Sequence, residues 1–382
     1  MKAFIRPKTS PMLRNLITLA AICLSPLAMA GEVELWDGWE LRYGGMLHTD
    51  TVSFSDDVTP LDNSTDFRRA RTRLQLSKDD WRFRADYDFG IARGFRSTFV
   101  EYRGFRKQRI VVGNQVAPFS MEDLKASRSM GLVERSIASA LSPGMQTGAS
   151  WRTWRDNWSV HAGVFGDAMD DLDRRRLPGR SLVSRVTYAP VNQGGFTVHL
   201  GAAAEFRNVD NGERVRLRAR PGSRLTDRRL VDTRSIDGVD SSNTYGLEFG
   251  LSYDRFRVQA EVIRNSLDAA GGSLNFGSQY LMASYVIGGR AYDYSHSRGN
   301  FKSVRPEASW GSVELLARVA TLDLGDGLVE GGEQREITAG VSWIYNEHVR
   351  VMLSLSEIDA EPNRDGIDES VTVGSLRLQL TF

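Results

Sequence analysis

Cysteine and lysine are both scarce in this chain of 382 residues. The one cysteine, Cys23, lies in an N-terminal segment that we predict to be removed, so a disulfide framework and a cysteine-ligated zinc site are excluded. There are 6 Lys against 43 Arg, yet the formal net charge is only +1. A simple basic nucleic-acid-binding protein is therefore excluded, and we expect no nucleic-acid partner.

Long apolar runs are also missing beyond the first 30 residues. Those residues combine a positively charged head, an apolar run and the small residues Ala28 and Ala30, which predicts a secretory signal peptide over 1–30. We expect residues 31–382 to form one domain. It contains no run of about 18 apolar residues that could form a spanning helix. The exported chain is then either a soluble β-protein or a closed transmembrane barrel.

An alternation of apolar and polar residues recurs along the chain. In one segment an apolar series alternates with a charged one. The apolar series is Trp81, Phe83, Ala85, Tyr87 and Phe89, and the charged series is Arg82, Arg84, Asp86 and Asp88. About sixteen segments of this kind predict an all-β fold, namely a transmembrane antiparallel β-barrel of about 16 strands with a wet lumen.

Connection lengths support a barrel, because short turns alternate with longer connections. Predicted long connections include 116–146, 266–277 and 321–334. The third long one along the chain, 116–146, is too long for a simple hairpin, and we expect it to fold inward and narrow the channel. The connection 288–309 falls at a place where a short turn is expected, and the sequence suggests no reason for its length.

Arginines of the second predicted strand share one face. Arg69, Arg71 and Arg73 are in phase, with Arg68 beside them. An arginine facing lipid at mid-membrane costs about 2–4 kcal/mol, so these residues are predicted to face the lumen. Some of them are expected to brace the wall through carboxylates. The candidate partners are Asp86, Asp88 and Glu101.

A second group of arginines lies in the connection 213–234. Arg216, Arg218 and Arg220 occur at every second position, so an extended segment points all three the same way. Such a row suits a rail that attracts anions and releases them stepwise. The alternative is a solvated basic loop that contacts lipopolysaccharide phosphates or a neighbouring subunit.

Several short motifs, in order, resemble the phosphate-selective porin O and P family. They run from Phe67-Arg68-Arg69-Ala70 through Ala85-Asp86-Tyr87-Asp88-Phe89, Pro118-Phe119-Ser120, Glu134-Arg135-Ser136 and Gly340-Val341-Ser342-Trp343 to the closing Arg377-Leu378-Gln379-Leu380-Thr381-Phe382. The resemblance covers nearly the whole exported chain. It implies a bacterial outer-membrane homotrimer of sixteen-stranded barrels whose pores bind anions on the inward-folded third loop.

The resemblance also implies roles for individual residues. Arg68 and Arg69 correspond to paired strand arginines. The arginine ladder corresponds to Arg216, Arg218, Arg220 and Arg224, and Ser127, Arg128 and Arg135 resemble constriction residues on the third loop. We therefore predict an anion-binding constriction formed by Arg68, Arg69, Lys125, Ser127, Arg128 and Arg135. Where the family has a central lysine, this chain has Asp123, which would repel phosphate. Arg96 is the candidate for neutralising it.

Three classes of function remain open on the sequence. The first is a passive channel for phosphate or similar small anions, with arginine and lysine as transient ligands. The second is a general, low-selectivity porin whose charges brace the wall. The third is an outer-membrane enzyme, which we do not expect, since no G-x-S-x-G or H-E-x-x-H motif occurs. We expect no cofactor and no metal, and contacts with membrane lipid and lipopolysaccharide.

Overall fold

Sixteen antiparallel strands form the wall of the molecule in the part of the chain that the structure describes. This computed structural model describes residues 31–170, 175–210, 214–290, 292–327 and 329–382; the predicted signal peptide lies outside them. The strands are β1 (Glu40–Asp56), β2 (Ser64–Lys78), β3 (Trp81–Asp88), β4 (Thr98–Tyr102), β5 (Gln108–Val116), β6 (Met145–Trp154), β7 (Trp158–Phe165), β8 (Arg180–Gln193), β9 (Phe196–Asn208), β10 (Val239–Tyr253), β11 (Phe256–Ala269), β12 (Gly272–Ile287), β13 (Ser312–Asp326), β14 (Val329–Ile344), β15 (Val349–Ala360) and β16 (Glu369–Thr381).

Shorter elements complete the secondary structure. Two short strands, Gly31–Glu34 and Gly94–Phe95, join the wall. Two small sheets lie apart from the wall. One has three strands, Arg175–Arg176, Arg216–Ala219 and Val231–Asp232, and the other has two, Tyr294–Ser295 and Asn300–Phe301. The helical turns are Trp36–Gly38, Met121–Leu124, Ser127–Ser129 and Ile137–Ala140. No helix among the described residues is long and apolar enough to cross a bilayer.

The wall closes because the last strand pairs with the first. Met46 of β1 lies opposite Thr381 of β16, and Asp56 lies opposite Val371. Every other strand pairs antiparallel with its neighbour in the chain. The predicted all-β, sixteen-stranded antiparallel barrel is therefore confirmed. Connections such as 79–80, 194–195 and 254–255 lie at one end, the turn end, and the opposite end is the loop end.

Side chains alternate across the wall as the sequence predicts. On β10 the outward Leu247 is 65% exposed, whereas the inward Glu248 is 5% exposed. On β3 the outward Trp81 and Phe83 are exposed, and the inward Asp86 is buried. Apolar outward side chains match lipid surroundings, and charged inward ones match a lumen lined with polar groups.

Toward the loop end of strands β11 to β14 the same positions still point inward, but many of these side chains become apolar and the outward ones become polar. We call this part, residues 263–278, 320–327 and 329–336, the collar. Its outward side chains include Arg264, Asp323 and Arg335, all exposed, and its inward ones include Leu267 and Leu322, both fully buried. The expectation of long loops over 266–277 and 321–334 is wrong, because these residues extend the strands as tight hairpins.

Loop 3, residues 117–144, lies inside the barrel. Side chains from the inner wall bond its backbone: Ser278 Oγ donates to Ala138 O at 2.9 Å, Arg318 Nη1 to Glu134 O at 3.1 Å, and Gln379 Nε2 to Arg128 O at 3.0 Å. Its apolar side chains pack with those of the collar and of loop 5, residues 209–238. This shared core includes Phe119, Leu141, Leu217, Leu267 and Leu322.

The connection 288–311, which we call the turn-end insert, also enters the barrel. Its short hairpin packs Tyr294 and Phe301 against Met121 of loop 3. Asn300 Nδ2 donates to Met121 O at 2.6 Å, and Arg185 on β8 donates to Gly299 O at 2.7 Å. Its length therefore has a structural reason: the segment rises from the turn end to meet loop 3.

Candidate functional site

A cavity of about 820 Å³ occupies the side of the lumen bounded by strands β1 to β7 and by loop 3. Fourteen of the residues that line it are Arg or Lys, and five are Asp or Glu. The opposite side of the lumen is filled by the core that loop 3, loop 5 and the collar share. The open path through the barrel therefore runs along its most arginine-rich wall.

A β-bulge brings two adjacent arginines to this wall. The pairing of β1 with β2 shifts between His48, which lies opposite Arg69, and Thr49, which lies opposite Phe67. The extra residue is Arg68, so both arginines point inward while Phe67 stays outward and exposed. Arg68 donates to Glu134 of loop 3 at 2.7 Å, and Arg69 borders the cavity.

The remaining wall arginines form the predicted bracing pairs. Arg71 lies 2.9 Å from Asp88, and Arg73 lies 3.1 Å from Asp86. Glu101 accepts from both Arg82 and Arg152. Sharing a carboxylate fixes the guanidiniums and leaves a net positive charge, because the arginines outnumber their partners. The wall is thus braced and electropositive at once.

Loop 3 brings its four predicted constriction residues to the cavity, where they differ in what they can do. Lys125, Ser127 and Arg128 line the cavity. Arg135 also lines it, but donates to Lys125 O at 2.6 Å and to Glu122 O at 3.2 Å, so it also holds the loop's shape. Burial, and next the charge of Arg257, lowers the pKa of Lys125 to about 7.

Arg128 faces other guanidiniums across the passage. Burial lowers the pKa of its side chain, and the charges of Arg73, Arg84 and Arg298 lower it further. Arg298 belongs to the turn-end insert and also lines the cavity. In the described part of the chain, neither Arg128 nor Arg298 forms a side-chain hydrogen bond or an ion pair. Both guanidiniums are therefore available to a passing anion.

Asp123 is neutralised, although not by the residue expected. Its carboxylate lies 3.3 Å from Arg135. Arg96 instead donates to the carbonyl of Ala92, and the expectation of an Asp123–Arg96 pair is wrong. The physical reason is proximity: Arg135 belongs to the same folded loop, whereas Arg96 follows β3 on the wall. The repulsion that Asp123 would exert on an anion is thereby reduced.

The ladder arginines lie in loop 5, where Arg216 and Arg218 share one face of the short strand Arg216–Ala219, Arg220 follows it directly and Arg224 lies beyond it. Leu217 and Ala219, which alternate with them, are buried in the shared core. Arg216 donates to Asp232 at 2.8 Å, and Arg220 to Thr226 O at 2.7 Å. Arg218, Arg220 and Arg224 line a smaller cavity of about 80 Å³ that also touches Arg68 and Arg135. Arg224 borders both cavities.

The sequence did not single out several cavity residues. Arg152 and Arg207 lie in alternating strands, where their phase with polar neighbours was the available signal. Arg298 had no such signal, since its place depends on the inward path of the turn-end insert. No group of side chains suited to holding a metal ion occurs within the described ranges.

Comparisons with solved structures show the same fold. An anion-selective porin from Comamonas acidovorans is 12% identical, with 90% of this chain and 100% of that chain covered at a TM-score of 0.55. The trimer form of OmpT from Vibrio cholerae is 11% identical, covering 91% and 100% at 0.56. The channel DcaP of Acinetobacter baumannii is 10% identical, covering 93% and 100% at 0.54.

Sequence comparison identifies the family. No curated protein matches the chain significantly. The family model of phosphate-selective porin O and P matches residues 41–382, which is nearly the whole chain. Together with the closed barrel and its cationic lumen, this match shows that the chain belongs to the phosphate-selective porin O and P family.

Proposed function

We propose that this outer-membrane protein is a water-filled channel through which phosphate and similar oxyanions diffuse passively. The observation that carries the proposal is the lining of the main cavity, where fourteen cationic residues face five carboxylates. A cleft lined by one sign of charge raises the local concentration of counter-ions. Guanidiniums bind oxyanions through a planar fork of donors, and several weak sites in series allow release.

The proposed path begins at loop 5 and ends at the turn end, which faces the periplasm in this assignment. Arg218, Arg220 and Arg224 guide the anion toward Arg68 and Arg135, and Arg224 passes it to the main cavity. Arg69, Lys125, Ser127 and Arg128 then act as transient ligands. No bond is made or broken, and the fold and family are those of a channel rather than an enzyme.

Three further features complete the proposal. Residues 1–30 direct export as a cleaved signal peptide. The barrel assembles as a homotrimer; OmpT of Vibrio cholerae, an outer membrane protein of the same fold, is known in a trimer form. The outward apolar side chains of the wall, which we call the apolar belt, contact lipid. Outward Arg264 and Arg335 lie just beyond this belt and contact lipopolysaccharide phosphates. The Comamonas acidovorans porin of the same fold is anion-selective, which supports the proposed preference.

The second candidate function is a general porin, favoured by the paired charges of the wall. Arg71 with Asp88, and Arg73 with Asp86, are engaged in bracing. Asp123 in place of the family's lysine also weakens the argument for strict phosphate selectivity. In this alternative the cationic excess is incidental, and anions of every kind pass alike.

Planar-bilayer recordings separate the two candidates. The reversal potential in a salt gradient is expected to show anion preference, and added phosphate is expected to reduce the chloride current. Cation preference would overturn the anion channel, and anion preference without phosphate block would favour the general porin. Replacing Arg216, Arg218 and Arg220 with Ala is expected to lower anion selectivity, and unchanged selectivity would remove the ladder from the path.

A further inference from the structure

An aromatic ring lies in the arginine wall of the cavity. Phe99 of β4 lies opposite Arg84 of β3 and lines the cavity. Tyr102, three residues further along β4, contacts the outward Trp81. Phe99 and Tyr102 therefore lie on opposite faces of the wall. Val111 of β5, opposite Glu101, also lines the cavity. Phe99 and Val111 form an apolar patch where the surrounding side chains are charged.

Cations surround this patch on the wall. The guanidinium carbons of Arg82 and Arg84 lie 5.6 Å and 5.8 Å from the centre of the Phe99 ring, within the range of cation–π attraction. Both guanidiniums also pair with wall carboxylates, Arg82 with Glu101 and Arg84 with Asp86. The Phe99 ring and the two guanidiniums are therefore held in place by the wall rather than moving freely in the lumen.

Two guanidiniums that have no side-chain partner among the described residues approach the same region from the interior. Arg128 comes from loop 3 and Arg298 from the turn-end insert, and both line the cavity. A carboxylate can take a bidentate pair of hydrogen bonds from such a fork. An anion whose carboxylate is bound there lies over the wall, where Phe99 and Val111 offer an apolar surface to the remainder of the anion.

We infer that the cavity selects organic anions that join a carboxylate to a flat apolar body, that is, aromatic carboxylates. The inference rests on the proposed anion channel and names its preferred solute class. Arg128 and Arg298 bind the carboxylate, and Phe99 with Val111 receives the ring. A small hydrated oxyanion gains nothing from an apolar patch, whereas an aromatic ring gains by stacking and by loss of hydrated surface.

Benzoate and acetate provide the test, because they carry the same charged group with and without a ring. Each is titrated against the chloride current of the full protein in planar bilayers. Benzoate is expected to halve the current at a concentration about fivefold lower than acetate. Phe99→Ala is expected to bring the two concentrations together. The matched control Phe83→Ala removes the same side chain from the outward face of β3 and is expected to keep the fivefold ratio.

Other variants keep the outcome decisive. Phe99→Leu, which preserves apolar volume if Phe99→Ala does not fold, is expected to reduce the ratio. Arg298→Gln is expected to weaken both blocks and preserve the ratio. Equal block by benzoate and acetate in the unmodified protein, or an undiminished ratio in both Phe99 variants, would overturn the inference while leaving an anion-selective channel. A cation-selective reversal potential would instead defeat the proposed function itself.

Discussion

Two parts of the barrel's inner surface are built in opposite ways. Along strands β2 to β4 the inward side chains are mostly arginines and carboxylates, and most of them face an open cavity. In the collar many inward side chains are apolar, and they pack on loops 3 and 5; they are Ile263, Leu267, Phe276, Ala320, Leu322 and Leu324. The inner face of a barrel is therefore not polar by rule. It matches whatever occupies the space beside it, water in one part and protein in the other.

The largest expected effect comes from breaking an ion pair between the arginine wall and loop 3. Arg68→Ala leaves Glu134 with its main partner removed in a buried position, and should lower the free energy of unfolding by about 3–5 kcal/mol. Urea unfolding of the refolded barrel measures it. The control Arg42→Ala removes an exposed pair with Glu32 and should cost less than about 1 kcal/mol. Equal losses would show that Arg68 does not anchor loop 3.

The collar is tested by a cavity mutation. Leu322 is fully buried in the shared core, so Leu322→Ala should lower the free energy of unfolding by about 2–5 kcal/mol. Thr321→Ala, one residue away on the outward face, should change it by less than about 0.5 kcal/mol. The same unfolding measurement applies. A negligible effect of Leu322→Ala would mean that the collar holds water rather than packed loops.

The open side is tested through selectivity. Arg128→Gln combined with Arg298→Gln removes two positive charges from the passage and should lower the anion-to-cation permeability ratio about twofold or more. Reversal potentials in a potassium chloride gradient measure this ratio. Arg42→Gln removes one exposed charge outside the cavity and serves as the control. An unchanged ratio in the double variant would place the ion path elsewhere.

The smallest expected effect is a pH dependence. A lysine whose pKa is lowered to about 7 is charged below that pH and neutral above it. Raising the pH from about 6 to about 8 should therefore reduce anion preference modestly, because Lys125 loses its charge. Lys125→Met should show the lower preference at both pH values. If Lys125→Met retained the full pH dependence, another group would be responsible.

The barrel could be predicted from the sequence because one rule holds along the membrane-spanning part of its strands: apolar residues face outward and alternate with polar residues that face inward. Trp81 and Phe83 alternate with Arg82 and Arg84, and the structure sorts them to opposite faces. The same rule failed at 266–277 and 321–334, where the apolar series changes sides at the edge of the apolar belt. In these segments the outward positions carry polar residues. A reader who expects every strand to show apolar residues toward lipid therefore takes the segments for loops.

The cavity was predicted in part, for a related reason. Arg68, Lys125, Ser127, Arg128 and Arg135 reach it because strand phase and loop 3 place them there. The pairing of Asp123 with Arg135 and the arrival of Arg298 depend on how loop 3 and the turn-end insert fold within the barrel. Such contacts join residues far apart in the chain and leave no periodic trace. Phe99 could be recognised as a lumen residue only after its strand was aligned with β3.

The single-residue bulge at Arg68 has a consequence for how such a channel gains charge. Successive residues of a regular strand point to opposite sides, so consecutive cations would force one of them into hydrocarbon. One extra residue removes that conflict, and the alternation resumes after it with Arg69, Arg71 and Arg73 inward. Two adjacent residues therefore place fixed charge in the lumen, while Phe67 and Ala70 on either side of them face outward. Conductive and lipid-facing properties can thus change independently at the same position of one strand.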